Sequence, residues 1–313
     1  MRHKQIVFAL FLAISWLAPA LEAQVNSSRS NEETRKANRP IVVKFFQLPI
    51  NDERVALYAD DGQKELKFTD VVAGKDIRWN GMAALKANTE FNKKMFPNLK
   101  WHNVHVWSTQ DPNYYWVEAD ASWTRIPAPG ADPITISRHY MISMQTGDGK
   151  LKHQREFSVP LLVPFTQPSI SEQWSSDDAV RSNGHAIAAK YFQLPFGDEQ
   201  TSLFADDAVK EILGTGKQWT GRAALQSDAD DSKDALPGWK WFNVQIWDTQ
   251  DANFFWIEAD GSGTRVPAPG ADPMEYGGHF LFTIEIKGGK ISHLRGMNLN
   301  NVEPMIMPVV YAK

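Results

Sequence analysis

The chain is written twice. Trp101-x-Asn103-Val104-x-x-Trp107-x-Thr109-Gln110-Asp111 returns as Trp241 to Asp251, and Glu118-Ala119-Asp120 returns as Glu258-Ala259-Asp260. Phe46-Gln47-Leu48-Pro49 recurs at Phe192–Pro195, and Pro127–Pro133 at Pro267–Pro273. Between Trp101–Pro133 and Trp241–Pro273, 22 of 33 positions are identical. Solenoid repeats recur every ~20–50 residues, whereas this spacing is about 140, so each copy is a whole domain. The 313 residues agree with two domains at about 150 residues each. The expected organisation is a leader over 1–23, domain 1 over 32–163, a Pro-, Ser- and Gln-bearing linker over 164–183, and domain 2 over 184–310.

The leader reading rests on order. Arg2, His3 and Lys4 precede an apolar run from Ile6 to Leu17, and small residues follow at Ala18, Ala20 and Ala23. Charge, apolar run and small-residue cleavage site make a secretory signal, and an apolar run of about 12 residues is short for a bilayer span. Cleavage after Ala20 or Ala23 fits, so the mature chain is expected to be exported, to periplasm or medium, with no membrane partner. Cysteine is absent, which excludes disulfides, thiolate metal sites and a cysteine nucleophile. With 33 basic against 37 acidic residues and no basic run, nucleic acid is not an expected partner.

Within each copy the hydrophobic period changes once. Ile41, Val42, Phe45 and Phe46 recur at helical spacing, Val55 and Tyr58 suggest a second short helix ending at Asp60-Asp61, and a third spans Met82 to Met95. Beyond it the period is two. Asn103–Ser108, Tyr114–Arg125, Arg138–Thr146 and Leu151–Val159 read as strands, with a tight turn at Gly147-Asp148-Gly149. In copy two, Phe280, Phe282, Ile284 and Ile286 share one face, with His279, Leu281 and Thr283 opposite. Helices followed by a four-stranded antiparallel meander is an α+β plan, a curved sheet over helices with room for one pocket per domain.

Four stretches are specific: Phe96-Pro97-x-x-x-Trp101-x-Asn103-Val104, Thr109-Gln110-Asp111-Pro112-Asn113, Trp116-Val117-Glu118-x-Asp120, and Gly149-Lys150-x-Lys152-x-x-Arg155-Glu156-Phe157. In these each copy resembles the PhzA/PhzB family of phenazine biosynthesis, within the SnoaL-like and nuclear transport factor 2-like superfamily. The resemblance implies two cone-shaped α+β domains, packed as an intramolecular version of the family's homodimer, and hence a monomer. It also implies a small, cyclic or aromatic organic ligand and chemistry without a cofactor; no metal is expected, since His102-x-x-His105 becomes Phe242 and Gln245 and no strand spacing gathers three ligands. The superfamily holds cyclases, isomerases, dehydratases and plain binding proteins, so the fold does not settle the activity.

The resemblance places the family's reactive carboxylate at Glu156. A carboxyl group in an apolar pocket is desolvated and can exchange protons near neutrality, which suits condensation, isomerisation or cyclisation. The bland reading is a strand residue paired with a cation, and copy two has Gly296 in its place. The family's pocket histidine becomes Asn88 and Asp228, and its pocket serine becomes Asn92 but stays as Ser232. These four are ligand-binding candidates, together with Tyr276 and His279. Asp228 opens the acidic run Asp228–Asp234, which also suits a solvated surface. His139 is a proton-transfer candidate beside Glu156 if their strands adjoin; its recurrence as His279 equally suits packing between domains.

Glu118 and Asp120 share a strand face with Trp116, as Glu258 and Asp260 do with Trp256. A carboxylate pair invites glycoside hydrolysis, whereas a salt-bridge network with Arg125 and Arg265 is the plainer explanation. Two functions remain open: an enzyme using Glu156 as general acid/base, and a non-catalytic binding or scaffold protein with degenerate pockets.

Overall fold

The computed structural model describes residues 31–68, 77–126, 130–161, 173–268 and 270–300. The expected leader, residues 164–172 of the expected linker and residues 301–310 of the expected domain 2 lie outside them. Copy one opens with helix α1 through 31–47 and one helical turn, α2 (Asp52–Val55), capped by Asn51 accepting the Arg54 amide at 3.1 Å. Then come β1 (Tyr58–Phe68), β2 (Ile77–Asn80), α3 (Gly81–Met95), β3 (Lys100–Ser108), β4 (Tyr114–Arg125), β5 (Ile134–Gly147) and β6 (Lys150–Pro160). Copy two repeats the order: α4 (Asp178–Gln193), α5 (Asp198–Thr201), β7 (Phe204–Ile212), β8 (Lys217–Thr220), α6 (Arg222–Ala235), β9 (Lys240–Asp248), β10 (Phe254–Arg265), β11 (Met274–Lys287) and β12 (Lys290–Asn300). Helix α4 begins at Asp178, inside the stretch expected to be linker.

The meander of four antiparallel strands is β3 to β6, but each sheet has six strands, in the order β2-β1-β6-β5-β4-β3 and its copy-two counterpart. The second helix does not reach Asp60-Asp61. It stops at Val55, and Tyr58 opens β1, which runs parallel to β6. Asp60-Asp61-Gly62 reads locally as a turn. In the fold it is a bulge between the Tyr58 and Gln63 pairings, where a Cβ on Gly62 would lie 2.9 Å from the Ala59 carbonyl oxygen. The β5–β6 turn is as expected, with Asp148 and Gly149 both at positive φ (52° and 72°) as a two-residue hairpin requires.

Period two then sorts the side chains. Tyr115, Val117, Ala119 and Ala121 of β4 and Tyr140, Ile142 and Met144 of β5 pack on Val42, Phe45 and Phe46 of α1 and Leu85 of α3. The opposite face packs on the other copy. Trp107, Tyr114, Trp116, Met141, Phe157 and Val159 form one buried cluster with Trp247, Phe254, Trp256, Leu281, Met297 and Leu299. Rings from the two copies stack in parallel: Trp116 on Trp256 at 4.8 Å, Trp107 on Phe254 at 3.9 Å and Tyr114 on Trp247 at 4.2 Å. The indole N–H groups of Trp107, Trp116, Trp247 and Trp256 find no acceptor among the described residues. That cost of about 1–3 kcal/mol each is set against the apolar area these rings bury. Thr109 and Thr249 bridge β3 to β9, and Trp174 lies between the guanidinium groups of Arg35 and Arg181, at 4.0 and 4.4 Å. The two domains therefore form an intramolecular pseudo-dimer.

Candidate functional site

Buried polar clusters lie on both faces of the sheets. The first lies between the domains. Glu118 of β4 accepts from Arg295 of β12 at 2.6 and 2.9 Å, and Glu258 of β10 accepts from Arg155 of β6 at 2.7 and 3.1 Å. His139 sits with Nδ1 2.8 Å from Asp120 and Nε2 3.2 Å from Glu118, and His279 repeats this with Asp260 and Glu258 at 2.7 and 3.1 Å. Both ring nitrogens of each histidine face carboxylates, so both must donate, and the imidazolium is the form that fits. Burial pushes both histidines down, but the hydrogen bonds to the two carboxylates outweigh it and raise them. Burial likewise pushes Glu118 and Glu258 up, and the facing arginine with the histidine brings each down to about 2.

This geometry corrects two expectations. The carboxylates do not pair with Arg125 and Arg265: Arg125 is exposed, and Arg265 lies over the Tyr276 ring at 5.2 Å. Their guanidinium partners come from the other domain. Nor does His139 adjoin Glu156, although β5 and β6 are neighbours. His139 pairs with Val159 and Glu156 with Ile142, positions of opposite parity, so the two side chains lie on opposite faces of the sheet. His279 is likewise at the domain interface, away from the helix-covered face.

The second cluster is that helix-covered site in copy one. Leu85, Asn88 and Thr89 are the buried residues of α3, spaced to face the sheet. Across from them Glu156 and Lys64 emerge from adjacent strands, with Lys64 Nζ 3.1 Å from Glu156 Oε1. Gln154 Nε2 donates to the same oxygen at 2.5 Å and accepts from the Tyr58 hydroxyl through its own Oε1. Asn92 Nδ2 donates to Asn88 Oδ1 at 3.1 Å. Tyr58, Lys64, Asn88, Asn92, Glu156 and Arg54 line a cavity of about 70 Å³, with Trp79, Trp101 and Tyr140 among its walls. Glu156, Asn88 and Asn92 thus line one cavity, and an ammonium holds Glu156; among the described residues no histidine lines it.

In copy two the same lysine takes a different carboxylate. Lys210 Nζ lies 2.5 Å from Oδ2 of Asp228, which is buried on α6, while Asp230, Asp231 and Asp234 of the acidic run are exposed. At the Glu156 position, a Cβ on Gly296 would meet the Phe282 ring at 2.9 Å and Ile212 at 3.3 Å. The space is filled. Gly296→Ala is therefore expected to destabilise by about 1–3 kcal/mol, as overpacking does, and a denaturation midpoint equal to wild type would contradict the packing. Ser232 is half-buried one turn beyond Asp228. Tyr276, on the helix-covered face of β11, accepts from Asn298 Nδ2 at 2.9 Å and packs beside Trp239. Among the described residues no three His, Asp or Glu side chains are grouped to hold a metal ion.

The model of the family described as phenazine biosynthesis protein A/B matches residues 21–167 and again 177–308. The chain belongs to that family. The PhzA/PhzB relatives of Pseudomonas aeruginosa are each matched by less than half of it. PhzB2 is 35% identical over 127 residues, 40% of this chain and 76% of the relative, and PhzA2 is 30% identical over 133 residues, 42% and 80%. The crystal structure of phzb2 from that organism aligns at 30% identity with a TM-score of 0.38, covering 46% of this chain and 97% of its own. Between the two copies, Glu156 stands where copy two has Gly296, and Asn88 where it has Asp228. Lys64, Gln154 and Arg54 were absent from the sequence-based candidates. The recurrence of Lys64-Glu65 as Lys210-Glu211 was the one available signal.

Proposed function

We propose that the mature protein is an exported monomer that binds one small organic acid per chain, in domain 1, with Glu156 placed to exchange a proton with it. Domain 2 serves as the permanent packing partner that the family's second subunit would otherwise supply. The observation that carries this reading is the asymmetry of the two equivalent sites. One holds a carboxylate, two cations and a cavity; the other has its lysine neutralised by Asp228 and the space over Gly296 filled. Arg54 and Lys64 against Glu156 leave the cavity one positive charge in excess, which favours an anion. The amides of Asn88 and Asn92, set in a largely apolar wall, suit a ligand bearing oxygen.

Size restricts the closed form. About 150 Å³ accommodates benzene, so about 70 Å³ admits a small acid but not a ring unless the Lys64–Glu156 pair opens. Calorimetric titration of the mature protein with small linear and cyclic carboxylic acids is expected to give one site per chain. Asn92→Phe, which fills the cavity, should abolish it, and Asp228→Asn in domain 2 should leave it intact. Two sites per chain, or binding that survives Asn92→Phe, would refute the assignment to domain 1.

A further inference from the structure

The two copies hold the same buried lysine by carboxylates that arrive from different sides. In copy one the partner is Glu156 on β6; in copy two it is Asp228 on α6, and β6's counterpart offers only Gly296. Copy two thus shows that the ammonium accepts a carboxylate from the helix side. In copy one that side carries Asn88, an amide with no charge, hydrogen-bonded to Asn92 and bordering the cavity. Glu156 also has a second donor, because Gln154 Nε2 reaches the same Oε1 that Lys64 reaches.

We propose that Lys64 is the anion receptor of the domain 1 cavity, and that a ligand carboxylate takes the helix-side position of Asp228 and displaces Glu156 from the lysine. The inference rests on the reading of domain 1 as an acid-binding site and deepens it. The exchange trades one carboxylate–ammonium pair for another, so the lysine and the incoming acid stay paired, and the cost falls on Glu156, on which the charge of Arg54 still acts. Glu156 keeps the Gln154 amide. It turns from a partner of Lys64 into a carboxylate beside the bound acid, with the cavity enlarged by the opening of the pair. Ligand binding and unmasking of the base are then one event, and Lys64 is the positioning residue that couples them.

Acetate is small enough for the closed cavity, and acetamide is its neutral counterpart. Titration of the mature protein with each is followed by NMR through the side-chain amides of Asn88 and Asn92. Acetate should saturate one site per chain and acetamide none. Glu156→Gln removes the internal competitor, so acetate should bind at least tenfold more tightly. Asn88→Asp installs the copy-two arrangement and should weaken acetate at least tenfold. Lys64→Met strands Glu156 and risks the fold, so the double variant Lys64→Met/Glu156→Gln, which leaves neither charge behind, is the decisive control; it should not bind acetate. Weaker binding by Glu156→Gln than by wild type, or a double variant as tight as Glu156→Gln, would overturn the proposal. If acetate binds no variant while a larger acid still fills one site per chain, this inference falls alone; if no acid binds, the reading of function falls with it.

Discussion

Arg155→Met is expected to lower the stability of the protein by about 3–5 kcal/mol, because it strips buried Glu258 of its two guanidinium hydrogen bonds and leaves the His279 imidazolium as the cation against it. Arg155 and Glu258 are each about 1% exposed or less, and the guanidinium also meets Tyr114 and Ser143, so water cannot replace it in place. The pair joins β6 of one domain to β10 of the other, and its loss should loosen the stacked Trp116–Trp256 interface along with it. Arg155→Met/Glu258→Gln removes both charges and should regain most of the loss. Urea denaturation of wild type, single and double variants tests this. A loss under about 1 kcal/mol, the value of a solvated surface pair, or a double variant no better than the single, would show that the pair is not desolvated as described.

The same interface should make stability peak in mildly acidic solution. Glu118 and Glu258, held down at about 2 from 4.5, contribute stability that is complete above about pH 4.5 and is lost as pH falls toward 2. A displacement of this size corresponds to roughly 3 kcal/mol per carboxylate. His139 and His279 are raised above 6.5, so their contribution is complete below that pH and is lost as pH rises through their folded values. Thermal midpoints should therefore form a plateau between about pH 4.5 and 6.5 and fall on both sides. In His139→Gln/His279→Gln the alkaline decline should flatten and the acid limb persist. A midpoint that keeps rising from pH 6 to 9 in the wild type would exclude charged histidines at these positions.

Much of this protein is legible along the chain. The duplication, the change from helical to strand periodicity within each copy, the β4 and β5 strands and the Gly147-Asp148-Gly149 turn are local signals, set by side-chain spacing and backbone preference over a few residues. The family resemblance also implied that the two domains pack on each other. Strand parity within β4 or β5 was equally readable, since alternate residues share a face and consecutive ones do not.

What the chain alone left undecided were relations between distant segments. Tyr58–Phe68 looks polar and turn-like, and becomes a strand only because β6, some ninety residues later, supplies its hydrogen bonds in parallel. That pairing puts Lys64 beside Glu156, a contact with no local signature. The β5–β6 register sends His139 to the domain interface and Glu156 to the helix side. Arg155 and Arg295 find their carboxylates across the pseudo-dimer, so nearby Arg125 and Arg265 were misleading partners. Residue types and their periods determined the elements and their faces. Register and domain packing decided which charges meet, because a buried charge is stabilised by the opposite charge nearest in space, wherever in the chain it lies.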